Sequence, residues 1–495
     1  MPINPSNMRV VDVARLLNST SFGFVLAQAR LYREFNRVGF RIGSSENPRN
    51  INLLKYIAWM FDRKHTPEET SGARSYEDRR NAERDRQAEQ SLAGRDIGQL
   101  PEVVNPNRKA ACERNFQLFC ESYFPETYSL AWSPDHLKVI EKIETAVLRG
   151  GLFALALPRG SGKTTITESA ALWSMLYGHR EFVVLIGATE SAALELLDSL
   201  KTELEVNERL AEDFPEVCYP VAQLEGIANR CAGQLYKGER TRITWTSNEI
   251  VLPTIEGSRA SGIIVRVAGI TGRIRGMKFK RSDGRNVRPS LVVIDDPQTS
   301  ESAGSLEQTR KRVRVLAGDI LGLAGPGQKI SGIMPCTIIR PGDMADIILN
   351  RNTHPDWNGE KTRMVYRFPT NMKLWEEYAE IRAEALRTEG NFQKATEFYL
   401  ANREAMDAGA EVSWEARFNH DEVSALQHAM NLKFQDEQAF QSEYQNDPLP
   451  DDTADDSLLS VDEICAKING LARRRVPLKC DRLTMFVDVV RQEVA

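Results

Sequence analysis

Apolar residues first recur at helical spacing in VVDVARLL (residues 10–17), break at the turn-like NSTS, and resume in FGFVLAQARLYREF and then INLLKYIAWMF. Three short helices over residues 1–61 follow, a helix-turn-helix-like arrangement with Arg30, Arg33, Arg37 and Arg41 as candidate phosphate contacts. A small helical interaction domain fits the same pattern. Residues 62–111 lose this rhythm: RSYEDRRNAERDRQAEQ is strongly charged and LPEVVNPNRKAA is broken by prolines, which predicts a solvated helix and a linker. The pattern then changes again. NFQLFCESYF and HLKVIEKIETAVL have amphipathic helical spacing, whereas GLFALALP is a nearly all-apolar run of the length a buried parallel strand needs. REFVVLIGATESAALELLDSLKTEL repeats a strand, turn and helix, and PSLVVIDDPQTS and QKISGIMPCTII supply two more strands. Residues 346–455 return to helical periodicity, and LTMFVDVV (483–490) is one further strand.

The fold class this predicts is α/β. A mostly parallel sheet is expected over residues 112–345, after a small all-α domain and a linker, with a helical subdomain over 346–455 and a final segment over 456–495. At 495 residues the chain has room for about three domains. Its 41% hydrophobic and 27% charged residues are those of a globular protein, and no apolar run approaches the roughly 18 to 20 residues that span a bilayer, so no membrane partner is expected. The N-terminal residues do not have the pattern of a secretory signal, which predicts a cytoplasmic location. Cysteines 112, 120, 218, 231, 336, 465 and 480 are scattered without metal-ligand spacing and read as reduced thiols. A net charge of −5 argues against coating nucleic acid by bulk electrostatics but leaves room for a local basic surface.

Candidate chemistry begins where GLFALALP meets RGSGKTT. A strand, a glycine-bearing loop, Lys-Thr and a helix in that order form a phosphate-binding loop, here a P-loop of the RecA-like type. In it Gly160, Ser161, Gly162, Lys163, Thr164 and Thr165 would hold the phosphates of ATP, and the Thr164 hydroxyl would ligate Mg²⁺. The usual spacing asks for a first glycine where this chain has Leu157. Arg159 either reaches a γ-phosphate or is an exposed loop arginine. Asp295, at the end of LVVID, is the expected Mg²⁺ carboxylate. Asp296 stands where hydrolysing members of this class carry a glutamate as general base, and Glu301 is the other candidate. Thr337 is either a γ-phosphate sensor or a plain core threonine.

Taken in order, PRGSGKTT, GATESAALELLDSLKTEL, GITGRIRG (269–276), LVVIDDPQT and AFQSEYQNDP (439–448) make residues 112–495 similar to the large subunit of a tailed-phage terminase. That family packages double-stranded DNA by ATP hydrolysis, and its loops carry an arginine and often lack the first glycine. The resemblance implies an ATPase working with Mg²⁺ as a homo-oligomeric ring on double-stranded DNA. It also implies a portal and a small terminase subunit as partners, in the cytoplasm of a bacterial host. In this family an arginine near GRIRG reaches a neighbouring subunit's site, which makes Arg275 a candidate trans-acting finger; a solvated hairpin tip is the alternative. Arg273, Lys278, Lys280, Arg281, Arg285 and Arg288 surround it and could grip phosphates. Asp488 falls at the first metal carboxylate of an RNase H-like nuclease, but one aspartate cannot hold two metals, so no DNA cutting is expected. A superfamily-2-like helicase and a prophage remnant that only binds nucleotide or DNA share most of these features.

Overall fold

The structure, a computed structural model, describes residues 4–19, 27–28, 31–33, 35–36, 42–47, 49–62, 95–281, 283–325 and 327–450. Its centre is an eight-stranded sheet built from β1 (Leu152–Ala156), β2 (Phe182–Gly187), β3 (Thr244–Trp245), β4 (Glu249–Val251), β5 (Ile264–Gly269), β6 (Leu291–Asp295), β7 (Ser331–Cys336) and β8 (Glu360–Lys361). The strands lie in the order β8-β1-β7-β6-β2-β5-β4-β3. The six from β8 to β5 run parallel, and β4 and β3 continue the sheet antiparallel at one edge. This is the α/β class with a mostly parallel sheet that the apolar runs predict.

Both faces of the sheet are covered, which is why its strands are apolar at nearly every position instead of alternating. Leu155, Val183, Leu185, Val293 and Ile333 face one core, with α3 (Phe116–Tyr123), α4 (Pro134–Leu148), α5 (Lys163–Leu176) and α6 (Glu190–Val206) packed on it. Ala154, Phe182, Val184, Ile186 and Ile294 face the other, closed by Leu316 and Ile320 just after α7 (Leu306–Val315) and by α8 (Met344–Leu349). Helix α5 is buried along almost its whole length. The starts of α4, α6 and α8 are fixed by Ser133, Thr189 and Asp343, whose side chains accept the first free N–H groups.

Beyond β8 the chain is helical, as its periodicity predicts. α9 (Met372–Glu389), α10 (Gln393–Ala401) and α11 (Ala425–Gln435) close around Trp375, Tyr378, Tyr399 and Met430, beside a two-stranded pair of Val365–Arg367 with Glu411–Val412. At the other end, α1 (Val10–Asn18) and α2 (Leu53–Asp62) pack through Val13, Leu31, Ile51 and Tyr56. Of the four arginines expected to contact phosphates there, Arg33 is ion-paired with Glu225, while Arg30, Arg37 and Arg41 lie outside the described residues. So do 451–495, including Asp488 and the strand LTMFVDVV.

The second half of the expected linker is ordered onto the sheet domain. The Ile97 N–H donates to the Leu235 carbonyl and the Leu235 N–H to the Arg95 carbonyl, and Pro106–Cys112 is a helix capped by Asn105. Arg108 holds it down through a 2.6 Å bond to Asp213, a fully buried carboxylate that also accepts from Tyr123. One buried ionic anchor outweighs a composition that otherwise favours solvent.

Candidate functional site

The loops leaving β1, β6 and β7 meet at the carboxyl end of the parallel strands, the edge where open α/β sheets bind ligands. The segment from Leu157 to Gly162 joins β1 to α5. Leu157 is 3% exposed and belongs to the helix-side core, and its N–H extends the β1 ladder to the Cys336 carbonyl at 3.3 Å. The chain is therefore still strand-like where a first glycine is expected. It turns later, at Gly160 and Gly162, whose φ angles of 76° and 77° favour glycine.

The loop is fastened from behind. The Arg159 N–H donates to the Glu443 carbonyl at 2.7 Å, the Arg159 carbonyl accepts from Arg417, and the Ser161 carbonyl accepts from His136 Nε2 at 3.0 Å. His136 Nδ1 takes the Ser133 N–H at 3.2 Å, so the proton sits on Nε2, and burial keeps the ring below its usual pKa and neutral. Trp414 packs edge-on against the same imidazole, with ring centroids 4.6 Å apart. The Arg159 side chain is 68% exposed and lies 3.6 Å from Glu443.

Lys163, the first residue of α5, is 8% exposed; its ammonium lies 3.3 Å from Asp296 and donates to the Thr337 hydroxyl. Thr164 donates to Asp295 Oδ2 at 2.9 Å. The neighbouring Asp295 Oδ1 and the Ser161 hydroxyl are buried without a partner. Burial, reinforced by the Asp296 charge, pushes the Asp295 carboxyl up to about 6. One turn along α5, burial pushes Glu168 up to about 7, with Asp295 adding to the shift. Among the described residues neither acid has a cation within ion-pair distance, and Lys163 offsets the Asp295 shift only in part.

Asp296 has a left-handed backbone, φ 35°, with its N–H on the Pro335 carbonyl at 3.2 Å. Its carboxylate is 45% exposed, so solvent reaches it while Lys163 holds it from the protein side. A strained residue of this kind at the end of a buried strand is a common feature of functional sites. Thr337 is 6% exposed, and its hydroxyl lies between Lys163 and Asp296, with Asp296 Oδ1 at 3.5 Å. Gln298 braces it, donating to the Thr337 carbonyl at 3.1 Å and to Asp343 at 2.6 Å, while its own Oε1 is buried without a partner.

Gly160, Gly162, Lys163, Thr164, Thr165 and Asp296 line a cleft of about 590 Å³ together with Arg159, Gln298, Thr337 and Glu443. Glu301 is exposed on the short helix Ser300–Ala303 and does not line it. Arg275 stands apart: it is 81% exposed, pairs with Asp319, and borders a separate cavity of about 410 Å³ with Arg273 and Lys278. Among the described residues no group of three or more His, Cys, Asp or Glu side chains gathers as a metal cluster. No described helix is long and apolar enough to cross a membrane.

Chemically, the loop's free N–H groups, the α5 amino terminus and Lys163 can hold an anion, and Thr164 with Asp295 can hold a cation beside it. Sequence reading missed Glu443, Arg417, His136 and Gln298. Gln298 lies two residues beyond Asp296 and was within reach of the motif; Glu443 and Arg417 come from more than 250 residues downstream, and only tertiary packing brings them here. Compared with known proteins, the chain matches no family model and no curated protein.

Proposed function

We propose that this chain is the ATPase motor subunit of a terminase-type machine, hydrolysing ATP to move double-stranded DNA. The observation that carries this reading is the convergence of Lys163, Thr164, Asp296 and Thr337 around one cleft at the ends of three neighbouring strands, with Asp295 bonded to Thr164 and partnerless buried oxygens at Asp295 and Ser161. The loop N–H groups and Lys163 bind and orient the phosphates of ATP. A Mg²⁺ ion held by Thr164 and Asp295 would neutralise phosphate charge. Asp296, solvent-accessible on one side, accepts the proton of an attacking water, and Thr337 keeps Lys163 and Asp296 in register. Arg159 and, from a neighbouring copy, Arg275 are the charge-stabilising candidates.

The motor role, the ring of copies, the portal and small-subunit partners and the bacterial cytoplasm come from the terminase resemblance. A helicase reading calls for a second parallel-sheet domain; the described residues after 346 add to the helices only β8 and one two-stranded pair. The test is phosphate release by the purified full chain with Mg-ATP, with and without duplex DNA, against Lys163→Ala. Turnover no faster than the variant, with nucleotide still bound, leaves a nucleotide-binding protein without motor activity and removes the proposal.

A further inference from the structure

Among the described residues Arg417 has no counter-charge. Its guanidinium is partly buried behind the loop, donates to the Arg159 carbonyl, and lies 3.0 Å from where a side-chain carbon on Gly160 would begin. Its other neighbour is the Tyr444 ring, 5.4 Å from the guanidinium carbon. Among the described residues no carboxylate lies within ion-pair distance, in contrast to Arg108, which pairs with Asp213, and Arg266, which pairs with Glu249. Burial alone lowers its pKa. A poorly hydrated, unpaired charge is costly unless an anion comes near, and the nearest place for one is the other side of Gly160.

We propose that Arg417 is a positioning residue for the loop: it holds the Arg159 carbonyl away from the cleft and sets a positive charge behind Gly160, so that the loop binds a polyphosphate more tightly than its own N–H groups would. The loop that carries Arg417, between the Glu411–Val412 strand and α11, thereby senses whether the phosphate loop is filled, because the anion supplies the charge that Arg417 lacks. This rests on the reading of the loop as a phosphate site. Arg417 itself does not line the cleft and needs no contact with the ligand.

Three substitutions separate its two contributions: Arg417→Lys keeps charge and donor, Arg417→Gln keeps a donor without charge, and Arg417→Ala keeps neither. Calorimetric titration of the full chain with inorganic pyrophosphate and with Mg-ADP reads the effect, and thermal unfolding without ligand reads folding. We expect Arg417→Lys within about threefold of the unsubstituted chain and Arg417→Gln about tenfold weaker, the size of one charge-assisted interaction. Arg417→Gln binding pyrophosphate as tightly as the unsubstituted chain overturns the proposal. So does Arg417→Lys binding as poorly as Arg417→Gln, since rescue by charge is what a merely structural role lacks. If Arg417→Ala does not fold, the Lys and Gln pair still decides. If the unsubstituted chain binds neither ligand, the phosphate-loop reading itself fails, a result distinct from equal binding by all variants.

Discussion

The cleft beside α5 and the basic segment that follows β5 both gather charged residues beside the sheet, and they are built on opposite plans. In the cleft the charges converge: Lys163 meets Asp296 and Thr337, Thr164 meets Asp295, and buried oxygens of Ser161, Asp295 and Gln298 remain without partners. In the basic segment the charges are spread out: Arg275 pairs with Asp319, Arg281 with Glu181, and Arg285 with Asp283 and the same Glu181. Exposed pairs such as Arg285 with Asp283 add little to stability and are screened by salt. The density of charge in a sequence is thus a weaker guide to a site than the convergence of a few groups where water is scarce. Unsatisfied buried atoms point to a ligand where they gather beside converging charges, and a lone one such as Ser174 Oγ does not.

The comparison breaks first if the cleft proves ordinary. Lys163→Ala is expected to lower ATP turnover by about 100-fold or more, as loss of a charge aimed at developing phosphate charge does. Phosphate release at saturating Mg-ATP measures it, and a loss below tenfold would place the chemistry elsewhere. Next in size is Leu157→Gly, which restores the usual motif while emptying a core position. The expected outcome is a loss of about 3 kcal/mol in urea unfolding with no gain in nucleotide affinity. Tighter binding by that variant would mean that the loop wants its first glycine after all.

Third comes pH. Asp295 titrates in the folded chain near 6, above its ordinary carboxyl range, so the folded state holds a proton that the unfolded state has already released. Its contribution is therefore fully present below about pH 4 and is lost as pH rises through about 6. Asp295→Asn, which cannot ionise, should be more stable than the unsubstituted chain at pH 8 by on the order of 2 kcal/mol, the gap closing by pH 4. Thermal unfolding in a divalent-cation chelator reads this. A gap that does not change with pH would show that Asp295 is not the strained acid. Glu168→Gln should behave in the same direction, with its midpoint nearer 7.

How much of this was legible in the sequence depends on how local each feature is. β1, the glycine turn and α5 are contiguous, and β6 ends in Asp295, so spacing alone found the residues that meet. Leu157 was legible as a departure from the motif but not as a core residue, because its burial is decided by α3 to α6 packing across the strand. The clamp from Arg417, Glu443 and His136 left no local mark. The docked stretch 95–112 was hidden for the same reason: its anchor, Asp213, is a hundred residues away and fully buried. For Thr337, whose sequence allowed either a sensor or a plain core residue, the hydroxyl meets Lys163 and Asp296, contacts that only the fold brings together.

The smallest expected effect tests the other side of the comparison. Arg275 is 81% exposed and its partner Asp319 is mostly buried, so the pair could be either a surface ornament or the edge of a second site. A double-mutant cycle of Arg275→Ala and Asp319→Ala isolates their coupling in unfolding free energy. If the segment is a set of independent surface pairs, the coupling should be below about 0.5 kcal/mol and should fade as salt is raised. A salt-insensitive coupling above about 1 kcal/mol would place the pair in a desolvated setting like that of Arg108 and Asp213. The cavity that Arg275 shares with Arg273 and Lys278 would then have to be read as convergent, and the contrast between the two regions would no longer hold.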